Sequence, residues 1–288
     1  MRYSTQTRGR FRSPRAVLAG MAIAVALAAC DQASAGEPTE LTIVAREVDG
    51  EYVYEMPETV PSGQVQIGLV NEGSELHHVQ LVRLDPGITA DDLARIHAES
   101  GEAGIVEVTD FVGGVAVVAS GERSRADAIV DLSAGEYAVL CFVPGPDGSP
   151  HLRHGMISTL FVTEGARPEP IEADVRIDLV DYAFDAPEVL SGDAVIEVTN
   201  RAVAEHHEMI IARLQEGATA EDVYRALEAG ELPPALPLGG AQGLGPARSQ
   251  LVQLDLEPGE YVIWCQIPSP DGKAHVMKGM IGQITVEA

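Results

Sequence analysis

Gly135-Glu-Tyr-Ala-Val-Leu-Cys141 is followed by nine residues, Phe-Val-Pro-Gly-Pro-Asp-Gly-Ser-Pro, then by His151 and, five positions on, by Met156. The arrangement returns as Gly259-Glu-Tyr-Val-Ile-Trp-Cys265, with His275 and Met280 behind it, so that Cys, His and Met are each displaced by 124 residues. A thiolate, an imidazole and a thioether carried by one strand and the loop after it make the downstream half of a soft metal site. A chain of 288 residues accommodates two domains, and the duplication reduces the fold question to one repeat of about 120 residues.

Upstream of the quoted stretch, Val65, Ile67 and Leu69 alternate with Gln64, Gln66 and Gly68, as in a strand with one buried and one wet face. Leu41 to Ala45, Tyr52 to Glu55 and Ala128 to Leu132 read as further strands, and Thr89-Ala-Asp-Asp92 as a capped helix start. A loop containing Gly113-Gly114 is expected between helix and strand. The second copy repeats these features in Val175 to Leu179, Ala194 to Val198, Thr219 to Asp222, Gly239-Gly240 and Val252 to Leu256. Early landmarks are offset by 129 or 130 and late ones by 124, so the second copy is shorter between helix and strand. Short strands at regular spacing with one helical insertion predict an all-β sandwich or barrel in each half.

A site of two His, one Cys and a weak Met is the donor set of a blue-copper centre. The missing His is expected on a strand beside the Cys strand, where each repeat offers a pair. His77 shares a face with Val79 and Leu81, and His207 with Met209 and Ile211, whereas His78 and His206 face the other way. A lone buried Cys is more often an inert core thiol, and Met156 or Met280 alone a gap-filler. Joint recurrence at fixed spacing in two diverged copies favours ligands. His154 lies closer to Met156 but is matched by Lys278, which ranks it as a surface residue, and His97 on the helix is expected to be solvated.

Asn71-x5-His77, Gly135-Glu-Tyr-x3-Cys141 and His151-x4-Met156, with Asn200, His207, Gly259-Glu-Tyr-x3-Cys265 and His275-x4-Met280, resemble the cupredoxin family over nearly the whole chain. The resemblance implies two tandem cupredoxin-like Greek-key β-sandwich domains, each with a short helical insertion. It also implies at most one type 1 copper per domain, held by His77, Cys141 and His151 with Met156, and by His207, Cys265 and His275 with Met280. One departure is the nine-residue Cys-to-His loop, longer than in most of the family, where a turn closed by Pro-Asp-Gly would carry His151 or His275 away from its Cys. Related nitrite reductases and multicopper oxidases place a His just before the blue-copper Cys. Here Leu140 and Trp264 stand there and no His-x-His occurs. The expectation is therefore an electron-transfer protein that is not an enzyme, with a metal-free binding or scaffold module of the envelope as the alternative.

Arg2, Arg8, Arg10, Arg12 and Arg15 precede the apolar run Ala16 to Ala29, as in a secretory signal peptide over residues 1–29. Leu27-Ala-Ala-Cys30 resembles a bacterial lipobox, which makes Cys30 the expected lipidation site and the cell envelope or periplasm the expected location; Ala33-Ser-Ala35 offers ordinary cleavage instead. A tether over 30–39, domains over 40–165 and 172–288 and a Pro-rich linker over 166–171 follow. Removing the signal would take away five Arg and no acid, leaving 14 cationic residues against 44 acidic ones and a charge of about −30. Such a surface disfavours nucleic acid and anionic membranes and favours a basic redox partner, with membrane contact only through the lipid. Each repeat then holds a single Cys, so the thiols are expected to be protected by burial or metal rather than paired.

Overall fold

The computed structural model describes residues 37–48, 50–165 and 169–288. The expected signal segment, Cys30, residues 30–36 of the expected tether and residues 166–168 of the expected linker lie outside the described residues. The first repeat comprises β1 (Thr39–Val48), β2 (Glu51–Glu55), β3 (Thr59–Pro61), β4 (Gly63–Asn71), β5 (His77–Leu84), α1 (Ala90–Val108), β6 (Thr109–Val118), β7 (Ala126–Leu132), β8 (Gly135–Leu140) and β9 (Ile157–Thr163). The second comprises β10 (Val175–Val180), β11 (Ala183–Asp185), β12 (Val189–Ser191), β13 (Val195–Asn200), β14 (His207–Leu214), α2 (Ala220–Ala229), β15 (Ala235–Leu244), β16 (Ser249–Leu254), β17 (Gly259–Trp264) and β18 (Ile281–Glu287). Among the described residues no helix is long and apolar enough to cross a membrane.

Alternation puts Leu41, Ile43, Val65, Ile67 and Leu69 of one sheet against Val79, Leu81, Val139 and Leu160 of the other, and these side chains are fully buried. Each contributes roughly 1.5–3 kcal/mol of transfer free energy. The second repeat builds the matching core from Ile177, Ile196, Val198, Met209, Ile211 and Ile263. The helices cover the outer face: Leu93 and Ile105 of α1 pack on Val82, Ala138 and Leu140, and Val223 of α2 packs on Ile210, Ala212 and Val262. Each helix starts at the expected Thr, whose backbone N–H donates to the carboxylate of Asp92 or Asp222. The length difference between the copies lies largely in the helix itself, 19 residues in α1 and 10 in α2.

Both sheets run through the two repeats without interruption. One is ordered β2-β1-β4-β7-β16-β13-β10-β11 and the other β3-β9-β8-β5-β6-β15-β14-β17-β18-β12. At the seam β6 pairs antiparallel with β15, Val115 opposite Ala241, and β7 with β16, Ile129 opposite Leu251. Strands that would be open edges in an isolated repeat are thereby paired. The loop expected around Gly113-Gly114 is instead the middle of β6, and Gly239-Gly240 is the middle of β15. These glycines have positive φ, and a Cβ on Gly114 or Gly240 would sit 2.0 or 2.1 Å from the carbonyl oxygen of Val79 or Met209. They read as loop residues in sequence because the bulged, closely approached strand needs what a turn needs.

Candidate metal centre

His77 opens β5 beside a register shift between His77 and Val79, and Cys141 directly follows β8, which pairs with β5 through Gln80 opposite Leu140. The loop after Cys141 closes with Gly148 N–H donating to Gly145 O (2.9 Å) and Ser149 N–H to the Asp147 carboxylate (2.8 Å). That turn forms as the Pro-Asp-Gly motif predicts, but it does not carry the histidine away. His151 N–H donates to Val143 O, Leu152 N–H to Cys141 O and Met156 N–H to His151 O, which returns the chain onto the Cys strand. The second copy closes the same way, with Val276 N–H donating to Cys265 O and Met280 N–H to His275 O.

The result is a buried triangle. Cys141 Sγ lies 3.5 Å from His151 Nδ1 and 4.0 Å from His77 Nδ1, and the two Nδ1 atoms are 3.1 Å apart. A point equidistant from the three atoms is about 2.1 Å from each, the length of a metal–imidazole bond. In the second copy Cys265 Sγ is 3.4 Å from His275 Nδ1, and His207 completes a group whose ligand atoms lie within 4.8 Å of one another. All four histidines, both cysteines and both methionines are fully buried, and the two cysteines are free thiols. Met156 and Met280 each meet the Cys strand through the backbone, accepting from the N–H of Cys141 at 3.3 Å and of Cys265 at 3.2 Å.

Proton placement decides which atoms face into the triangle. His77 Nε2 is 2.9 Å from a Glu47 carboxylate oxygen, and His151 Nε2 is 3.2 Å from one of Glu75. A carboxylate only accepts, so each Nε2 carries the proton. Burial lowers the pKa of both rings, against the pull of those carboxylates, and keeps them neutral. Both Nδ1 atoms are then acceptors facing each other at 3.1 Å with the Cys141 sulfur 3.5 Å from one of them, an arrangement that a cation among the three satisfies. Burial also pushes the Cys141 thiol up to about 12 and that of Cys265 well above its usual value, so a metal must displace a proton from each. Two imidazoles and one thiolate are donor chemistry of type 1 copper, and both groups fit it, with Met156 and Met280 in the same buried clusters as Cys141 and Cys265.

No protein-family model matches this sequence, and no curated protein does. Solved structures do match. Reduced auracyanin from the photosynthetic bacterium Roseiflexus castenholzii is 25% identical, covers 40% of this chain and 96% of its own, and has a TM-score of 0.29. A copper-containing nitrite reductase from Thermus scotoductus SA-01 is 13% identical over 87% of this chain and 62% of its own, with a TM-score of 0.23. A multicopper oxidase is 14% identical over 86% and 88%, with a TM-score of 0.24. The fold is cupredoxin-like. The first of these structures spans a length comparable to one repeat, and the other two run across both. They also correct an expectation. Structures matched across both repeats include a reductase and an oxidase, which are enzymes, so the reading of this chain as a non-enzyme is withdrawn.

His78 and His206 turn away from the triangles. His78 Nε2 accepts from Phe142 N–H at 2.9 Å, and burial lowers its pKa to about 3. In the second copy Glu208 takes that role, accepting from Gln266 N–H at 2.8 Å, and burial raises it to about 7. His206 stands edge-on to Phe111, and His154 pairs with Asp147 at the surface. His97, expected to be solvated, is half-buried, with its Nδ1 enclosed and its ring 6.3 Å from that of Phe142.

Sequence reasoning missed the residues that grip the ligand rings. Tyr52 O–H donates to Glu75 at 2.7 Å and its ring stacks on His151 at 4.0 Å, while Tyr182 O–H donates to Glu205 at 2.7 Å and Glu205 accepts from His275 Nε2 at 2.8 Å. A signal existed, since Tyr52 and Tyr182, like Glu75 and Glu205, share the offset of 130. Glu47 left no such trace: strand register matches it to Asp181, since Ala45 and Leu179 lie opposite Asn71 and Asn200, but the shorter second hairpin breaks the offset of 130.

Proposed function

We propose that this chain is an exported type 1 copper protein of the cell envelope that moves single electrons, with Cys30 as its lipid anchor. His77, Cys141, His151 and Met156 would hold one copper, and His207, Cys265, His275 and Met280 another. The observation carrying this reading is the pair of Nδ1 atoms and the thiol brought within 4.0 Å of one another on fully buried residues. Bound copper supplies a one-electron couple, with the weak thioether allowing both oxidation states one geometry. The chain's own part is to exclude water and to clamp the imidazoles from behind through Glu47, Glu75 and Glu205, so that little moves when charge changes. A charge of about −30 after loss of the signal supports a basic redox partner.

The test is a visible absorption spectrum after Cu(II) addition to the mature protein and to Cys141→Ser and Cys265→Ser. An intense blue thiolate-to-copper band that halves in each single variant and vanishes in the double variant is the expected outcome. A protein that stays colourless and retains no copper on gel filtration leaves only a cupredoxin-shaped binding module.

A further inference from the structure

The two triangles differ in what stands behind the upstream histidine. In the first, Glu47 Oε1 is 2.9 Å from His77 Nε2 while Glu47 Oε2 accepts from Ser74 N–H at 2.6 Å. The seat exists because residue 73 is glycine: a Cβ there would lie 2.6 Å from Glu47 Oε1 and 2.8 Å from His77 Nε2. Gly73 N–H donates to Asn71 Oδ1 at 2.9 Å, and its structural counterpart is Ala202, whose N–H donates to Asn200 Oδ1 at 2.9 Å. In the second copy, then, a methyl group stands where the carboxylate would come. β10 ends at Val180, and Asp181, the residue in register with Glu47, falls in the turn before β11; its charge acts on His207, but it makes no hydrogen bond to either ring nitrogen. His207 has neither ring nitrogen hydrogen-bonded, although both are buried.

A second difference has the same sign. Tyr182 O–H, which holds the Glu205 behind His275, is 3.3 Å from Lys278 Nζ, and that ammonium lies 4.6 Å from the Tyr182 ring centroid. The equivalent residue in the first copy is His154, paired with Asp147. The first site thus has a carboxylate hydrogen-bonded to its upstream ring where the second has only the unbonded charge of Asp181, and the second has an ammonium, paired with Asp271 at 3.1 Å, where the first has His154.

Building on the copper reading, we infer that the two sites are unequal couples, the second having the higher reduction potential, so that a single electron on the molecule rests at His207–Cys265–His275. A negative group on a ligand ring makes the ring a stronger donor and favours Cu(II); a nearby cation favours Cu(I). Both differences act on a one-electron change at copper with no proton moving.

Redox titration of the blue band in Cys265→Ser, which keeps the first site, and in Cys141→Ser, which keeps the second, tests this. The electron is expected to prefer the second site at least tenfold, about 59 mV for a one-electron couple. Glu47→Gln and Gly73→Ala, each placed in Cys265→Ser, should raise the first site's potential while keeping its band, and Lys278→Met in Cys141→Ser should lower the second's. Gly73 has no positive φ, so its alanine variant carries no backbone strain. Equal or inverted potentials, or a first site unmoved by Glu47→Gln, overturn the inference while leaving the copper reading intact. Absence of a band in both single-site proteins overturns the copper reading and this inference with it.

Discussion

Asn71 and Asn200 do at single-residue scale what the loop sequences alone do not reveal. Asn71 Nδ2 donates to Glu75 O at 2.8 Å and Val118 O at 3.0 Å while its Oδ1 accepts from Gly73 N–H, and Asn200 repeats the pattern with Glu205 O, Leu244 O and Ala202 N–H. Each ties the loop carrying the His-clamping Glu to the neighbouring strand. Asn71→Ala leaves one N–H and two carbonyls without partners, at a cost of about 2–4 kcal/mol. Urea unfolding of the metal-free variant should show that loss as a lower midpoint at unchanged slope. A change under 1 kcal/mol would mean that water replaces the side chain. Asn71 recurs as Asn200, with one more residue before the histidine in the second copy, yet the reason for the asparagine appears only when Val118 of β6 comes alongside.

At the scale of elements, the glycine pairs separate what a pattern reports from what a strand requires. Gly114 combines φ of +139° with a backbone oxygen 2.0 Å from any added Cβ, whereas Gly121 has φ of +76° and open space around it. Gly121→Ala should cost about 1–2 kcal/mol, the strain of a left-handed backbone alone. Gly114→Ala must also push β5 away from β6 and should cost more than about 3 kcal/mol, or yield no folded protein. Thermal melts of the two variants side by side decide this; equal penalties would show that β5 and β6 yield easily. Strands built on alternation, such as β4, were read correctly from sequence because burial of every second residue needs no knowledge of the partner.

Across the whole molecule the seam binds the repeats into one body. Gln250 of the second repeat accepts from Gly114 N–H at 2.9 Å and donates to Gly114 O at 3.0 Å, and Gln80 of the first donates to Gly243 O at 3.0 Å. With two sheets continuous through the seam, neither repeat unfolds without exposing strand edges of the other. Calorimetry should give one transition with equal calorimetric and van't Hoff enthalpies. Two resolved transitions would show that the repeats melt independently. The seam also separates the candidate sites: His77 lies opposite Val118 on β6, while His207 lies opposite Leu244, which faces Val112 of β6. Six positions along a strand at ~3.4 Å each put the two sites roughly 20 Å apart along the strands.

By itself the sequence determined the all-β class, the duplication and the helix starts, because strand alternation and capping are local, and it pointed to candidate donors through two offsets, 130 from His77 to His207 and 124 for the Cys, His and Met behind them. Only the tertiary structure decided that β6 and β7 meet β15 and β16, that carboxylates are hydrogen-bonded to His77, His151 and His275, and that none is hydrogen-bonded to His207. The physical reason is that these contacts join residues far apart in the chain. The Glu47–His77 bond, moreover, rests on the absence of one methyl group at Gly73, which no periodicity records.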